Sequence, residues 1–186
     1  MTARIVLRWH RHRLVQERTG SKIHGFEVRG RRRNATLVSG TEVLFLPADF
    51  PTLDSVTVYN GWFPALARPI AAMSAITAAA TRIPLGRTVL DVVTRPMIGP
   101  PGGPDAAERA RTCSHVVAVA SSDAAPPAEV HVEGPSAYSL TGELMAWAAQ
   151  HLATTPPRTA GVVGPVEAFG FDTLRDGCAE IGLTPV

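Results

Sequence analysis

The chain lacks most of what announces a chemistry. It has two cysteines in 186 residues, Cys113 and Cys178, and neither sits in a CxxC pair or a Cys/His cluster. No disulfide framework is indicated, and a reduced cytoplasmic protein is expected ahead of a single Cys113–Cys178 bridge. Lysine is nearly absent: Lys22 is the only one. No GxGxxG, P-loop or GxSxG motif occurs, so a dinucleotide fold, a phosphate cradle and a serine-nucleophile elbow have no sequence support. The first twenty residues hold no apolar core of a leader peptide. The longest apolar stretch, FPALARPIAAMSAITAAA, is broken by Arg68 and two prolines and falls short of a membrane span. Internal repeats and coiled-coil heptads are also missing.

What remains is an ordinary globular composition, 45% apolar and 18% charged. A chain of this length buries roughly 70% of its unfolded surface and needs no staples. Its charge is unevenly placed. Residues 1–34 carry ten basic side chains (Arg4, Arg8, Arg11, Arg13, Arg18, Lys22, Arg29, Arg31, Arg32, Arg33) against Glu17 and Glu27, a net +8. Eight basic and fourteen acidic residues elsewhere leave −6. A solvated arginine-rich face is the expected reading, ahead of a nucleic-acid-binding arm.

Residues 3–16 pattern as a basic helix closed by Gly20, which makes residues 1–20 an N-terminal helix and 21–186 a single domain. The runs KIHGFEV, NATLV, EVLFLPA and SVTVYNGW are short, β-branched and aromatic, and read as four strands of a largely antiparallel sheet. Helices are expected over 64–82 and over LGRTVLDVVTR, with a Gly/Pro-rich loop after them. Asp105 is placed to cap a short helix through Arg111. SHVVAVASSD and AEVHVEG read as strands flanking an AAPP loop, RTAGVVGP as a strand, and FDTLRDGCAEIGL as a helix.

The stretch VHVEGPSAYSLTGELMAWAAQHLA is a strand, a turn and a long helix, 138–153. Its Gly134-Pro135 turn has neither the glycine spacing nor the lysine of a phosphate loop, so it is a scaffold corner. Two apolar stripes, Tyr138/Thr141/Met145/Ala148/Leu152 and Leu140/Leu144/Trp147, predict broad packing on a sheet, with Tyr138 and Thr141 as inward polar tips. Glu143 lies on the polar face. The GPPGGP loop at 99–104 loses backbone donors to its prolines. His115 and His131 fall in neighbouring strands, but no third ligand is evident, and no metal is expected. Tyr59 and Trp62 end a strand where ligand contacts concentrate.

Tyr138-x-x-Thr141 opening an alanine-rich helix, then AGVVGPVEAFGFDTLRDGCAEIGL, resembles the C-terminal part of saccharopine dehydrogenase-like proteins, among them trans-acting enoyl reductases. The matching residues are Tyr138, Thr141, Gly161, Val162, Pro165, Ala168, Phe169, Gly170, Leu174 and Gly182. Looser likeness extends over roughly residues 3–186. The family's NAD(P)-binding Rossmann domain has no counterpart in this sequence.

The resemblance implies an α+β fold: a mixed, mostly antiparallel sheet covered on one face by helices 64–82 and 138–153. It implies an oxidoreductase component that supplies a substrate-pocket and dimer domain, with NAD(P) bound by a partner chain and none by this chain alone. Tyr59, Tyr138 and Thr141 are the substrate-binding candidates, as donors toward a polar group. The alternatives are a non-catalytic dimeric interaction module and, further behind, the basic-arm nucleic-acid binder.

Overall fold

In the computed structural model, residues 5–61 and 103–186 are described, together with positions 68, 71, 72 and 75. The protein is α+β, and every strand pairing among the described residues is antiparallel. Two compact units divide the chain, Met1–Pro100 and Pro101–Val186. Residues 5–20 thus belong to the first unit and form no separate arm.

The segment expected as a basic helix is a hairpin, β1 (Ile5–His10) and β2 (Leu14–Arg18). Its turn explains the misreading. Arg11 and His12 both adopt positive φ, at 51° and 56°, and His10 and Arg13 exchange backbone hydrogen bonds of 2.9 and 3.3 Å. A two-residue turn with positive φ at both positions matches the right-handed twist of the strands, and is usually built from Asn-Gly. Here two bulky residues fill it, so the sequence carries no turn signal. Gly20 does take a left-handed φ of 68°, but it joins strands and does not end a helix.

β3 (Ile23–Val28) and β4 (Arg31–Val38) form a second hairpin through Arg29-Gly30, again with positive φ at both residues. The expected strand EVLFLPA is instead a helix, α1 (Glu42–Asp49), with Pro47 inside it. A short apolar run does not distinguish strand from buried helix by period, and burial of Val43, 1% exposed, decides for the helix. β5 (Ser55–Val56) pairs with β1, and β6 (Val58–Asn60) with β4. Two three-stranded sheets result, ordered β2-β1-β5 and β3-β4-β6. Among the described residues, the buried apolar side chains Val6, Ala35, Leu37 and Val43 all belong to this unit. Of the expected helix 64–82, only positions 68, 71, 72 and 75 are described, and all four are helical. The LGRTVLDVVTR helix and Trp62 lie outside the described residues.

The second unit opens with α2 (Ala106–Ala110), capped as expected by Asp105. The Asp105 carboxylate accepts from the Glu108 amide at 2.8 Å, and Glu108 accepts from the Asp105 amide at 3.1 Å, a complete capping box. β7 (Cys113–Ser122) and β8 (Ala125–Pro135) follow, joined at Asp123-Ala124. The AAPP segment expected as a loop lies mostly within β8. α3 (Ala137–Thr154) matches the long helix, with the buried Ser136 hydroxyl accepting from the Ser139 amide at 3.2 Å. RTAGVVGP is irregular chain up to Pro165, where a strand was expected: its one proline and the positive φ of Gly161 (119°) hold no ladder. α4 (Pro165–Phe169) and α5 (Phe171–Glu180) follow. β9 (Thr184–Pro185) pairs with β8, completing a third sheet ordered β7-β8-β9. Among the described residues the strands form three antiparallel sheets, where one mixed sheet was expected.

Candidate functional site

The helix α3 meets its surroundings through one of the two predicted stripes. Leu140, Leu144, Trp147 and Ala148 are half-buried, as is His151. Tyr138, Thr141, Met145 and Leu152 are exposed, so the stripe carrying both polar tips faces outward, which corrects their expected inward orientation. The cause is Trp147. Its indole lies against Gly177 of α5, stacks on His151 (centroids 5.4 Å) and meets Phe169 edge-on at 5.2 Å. That contact fixes the rotation of α3 about its axis.

Tyr138 stands on the first turn of α3 with 55% of its surface exposed. Its ring rests against Gly103 of the Gly/Pro-rich segment: a Cβ at Gly103 would lie 3.1 Å from Tyr138 Cε1. Gly103 has a φ of 69°, a conformation glycine adopts without strain. Thr141, one turn along the same exposed face, donates its hydroxyl proton to the Ala137 carbonyl at 2.7 Å. Toward a ligand it offers lone pairs only, so the expected donor role falls to Tyr138. Glu143 is exposed on α3.

Tyr59 belongs to the first unit, on β6 opposite the fully buried Leu37. Strand alternation puts it on one sheet face with His24 and Phe26, and the three rings cluster at centroid distances of 4.6, 5.5 and 5.7 Å. Burial pushes the Tyr59 phenol above its usual value; Arg8 opposes this and Glu17 adds to it. The charges beneath are themselves paired, Glu17 accepting from Arg8 at 2.8 Å and from Lys22 at 2.9 Å. The hydrogen bond from Lys22 is the largest cause that holds the Glu17 carboxyl below the ordinary range, with burial opposing and Arg8 assisting. The three sequence candidates thus divide between units, Tyr59 in one, Tyr138 and Thr141 in the other.

The basic segment is partly consumed by structure. Arg8 and Lys22 share Glu17, Arg18 donates to the Ala71 carbonyl at 3.2 Å, and Arg31, Arg32 and Arg33 are exposed on β4.

One constellation had no signal in the motif reading. Register pairs His115 directly with Glu133, and alternation places Cys113 on the same face. Cys113 Sγ lies 3.3 Å from His115 Nε2, and His115 Nδ1 lies 3.5 Å from the Glu133 carboxylate. The expected neighbour, His131, sits one pair further along that face and meets Glu129 at 2.9 Å. Both thiols are free. The signal available in the sequence was Cys-x-His within a strand; the third member depends on the hairpin register.

The described residues define an α+β protein of antiparallel sheets with a capped helix presenting an exposed phenol, and no described helix is long and apolar enough to cross a membrane. Comparison with known proteins found no matching family model, no matching curated protein and no matching solved structure.

Proposed function

We propose that the chain is a component of a saccharopine dehydrogenase-like oxidoreductase, contributing a substrate-pocket and dimer domain while a partner chain binds the NAD(P). The nicotinamide supplies the hydride chemistry, and residues of this chain bind and orient the substrate. The observation that carries this reading is the Tyr138–Gly103 junction. A tyrosine with more than half its surface free, braced by Gly103, can donate a hydrogen bond to a polar substrate group. The Tyr138-x-x-Thr141 helix that carries the sequence resemblance is the same element. Thr141 can only accept from the substrate, because its hydroxyl proton is tied to the Ala137 carbonyl.

Titration of the purified chain with NADPH, followed by nucleotide fluorescence, tests the division of labour. No saturable binding up to millimolar nucleotide is expected. Micromolar binding would replace this reading with a chain that carries its own cofactor site. In an enzyme reconstituted with its nucleotide-binding chain, Tyr138→Phe is expected to lower kcat/KM by about tenfold, the worth of one hydrogen bond to substrate. Unchanged turnover would confine Tyr138 to packing on Gly103.

A second reading, a non-catalytic dimeric interaction module, draws on β7. This strand lies at the edge of the third sheet, and Val116 and Val119 along it are 48% and 50% exposed. An apolar edge strand is a template for pairing with another chain.

A further inference from the structure

The Cys113–His115–Glu133 cluster lies apart from the Tyr138 reading and rests on different observations. Three physical features bear on what it can hold.

The first is geometry. One donor atom from each residue lies within 4.8 Å of the other two. Tetrahedral zinc with one sulfur, one nitrogen and one oxygen ligand needs donor separations of roughly 3.3–3.6 Å. The Sγ–Nε2 distance of 3.3 Å already meets that, and the Glu133 carboxylate, 3.5 Å from the other ring nitrogen Nδ1, lies within the same 4.8 Å span. The second is rigidity. The donors stand on adjacent strands whose registered pairs run from Cys113↔Pro135 to Ser122↔Ala125, with one irregularity beyond Ala120. The backbone under the cluster needs no rearrangement, so little ordering entropy is lost on binding.

The third is donor chemistry. A thiolate with an imidazole is a borderline-soft set that favours zinc over magnesium or calcium, and one carboxylate is compatible with it. A thiolate and a carboxylate together neutralise a divalent ion. Cys113 is exposed while the His115 and Glu133 side chains are 25% and 19% exposed, so the open side of the cluster faces water. His131, on the same face, is held by Glu129 and supplies no donor in this arrangement.

We propose that Cys113, His115 and Glu133 form a zinc site with three protein ligands and a fourth position open to water, on one face of the β7–β8 hairpin. Binding proceeds with loss of the Cys113 thiol proton to solvent, and the metal takes the sulfur lone pair. No oxidation state changes. Cys178 is a poor substitute: burial pushes its thiol above the usual value and disfavours the thiolate.

Cobalt(II) titration of the reduced full chain tests this. A thiolate-to-cobalt charge-transfer band in the near ultraviolet, with visible absorption of tetrahedral intensity, is expected at one metal per chain and micromolar affinity. Added zinc should bleach both. Cys113→Ser should abolish the charge-transfer band, His115→Ala should weaken binding by about tenfold or more, and Cys178→Ser should change neither. Far-ultraviolet dichroism checks that each variant folds. Should Cys113→Ser not fold, zinc should slow iodoacetamide labelling of Cys113 in the unaltered protein, read by mass spectrometry. The proposal is overturned by absence of the band, by a band that follows Cys178, by a requirement for millimolar metal, or by labelling that ignores zinc. Any of these would leave a metal-free thiol–imidazole–carboxylate chain.

Discussion

Tyr59 and Tyr138 are the only tyrosines, and they occupy opposite environments. Tyr59 is half-buried among His24, Phe26 and Leu37, and its phenol is pushed above the ordinary value of 10.0, chiefly by burial. A phenol whose folded pKa is raised favours the protonated form in the native state. The stabilisation it lends is complete below the unfolded value and is lost as pH rises through the folded one. Absorbance of tyrosinate against pH should therefore contain a component above the usual range, and Tyr59→Phe should remove it. A single ordinary titration step in both proteins would show that the aromatic cluster does not shield the phenol. At this scale the sequence located Tyr138 and Tyr59 as notable positions, but not their surroundings. Thr141 was legible as a polar tip and illegible as a hydroxyl already bonded to the Ala137 carbonyl. That bond depends on rotamer, not on residue type.

Elements were legible where local chemistry and tertiary packing agree. Asp105 and Glu108 announce the start of α2, and α3 and α5 follow their helical patterns closely. Among the residues that carry the family resemblance, Gly161, Gly170 and Gly182 take φ values of 119°, 86° and 86°, so they are positions where the backbone itself demands glycine. Illegible elements are those where a local rule is broken. Arg11-His12 is the clearest. Each residue at positive φ costs of order 1 kcal/mol. Replacing the pair with Asn-Gly should therefore stabilise the first unit by about 1–2 kcal/mol in urea denaturation; the 4.0 Å His12–Asp54 contact that is lost is exposed and contributes little. Unchanged stability would mean that the strand pairs alone set the turn.

Gly177 is the converse case. Nothing in FDTLRDGCAE marks its glycine as different from a weak point in a helix, where alanine is normally better by about 1 kcal/mol. Yet a Cβ there would collide with the Trp147 indole. Gly177→Ala is expected to destabilise by about 1–3 kcal/mol, the cost of overpacking, reversing the sign that propensity alone gives. Tryptophan fluorescence should shift with it, since Trp147 would have to leave α5. A more stable variant would place the indole elsewhere.

At the scale of the whole molecule, both units leave large apolar side chains exposed. The second unit leaves Val116, Val119, Val130, Met145 and Phe171 between 48% and 69% exposed. Surface of this kind commonly marks an interaction site. Sedimentation velocity should accordingly find a dimer at micromolar concentration, dissociated by Val119→Lys on the edge strand. A monomer would remove the dimer half of the proposed function and leave its substrate half standing. The sequence could not reveal the division into two units, because its patterning ran continuously from strands to helices. The arginine-rich segment looked like an arm only because its hairpin turn is disguised.

The β7–β8 hairpin also bears on the order of events in folding. Its strands meet after closure of a two-residue turn, whereas β1 reaches β5 only by bringing together His10 and Ser55, 45 positions apart in the chain. Loop closure grows costlier with separation, so local pairs form sooner than distant ones. Pulse-labelled hydrogen exchange during refolding should find the amides of Val116–Ala120 protected while those linking β1 to β5 still exchange. The face that gathers Cys113, His115 and Glu133 would then be among the first surfaces the nascent chain assembles.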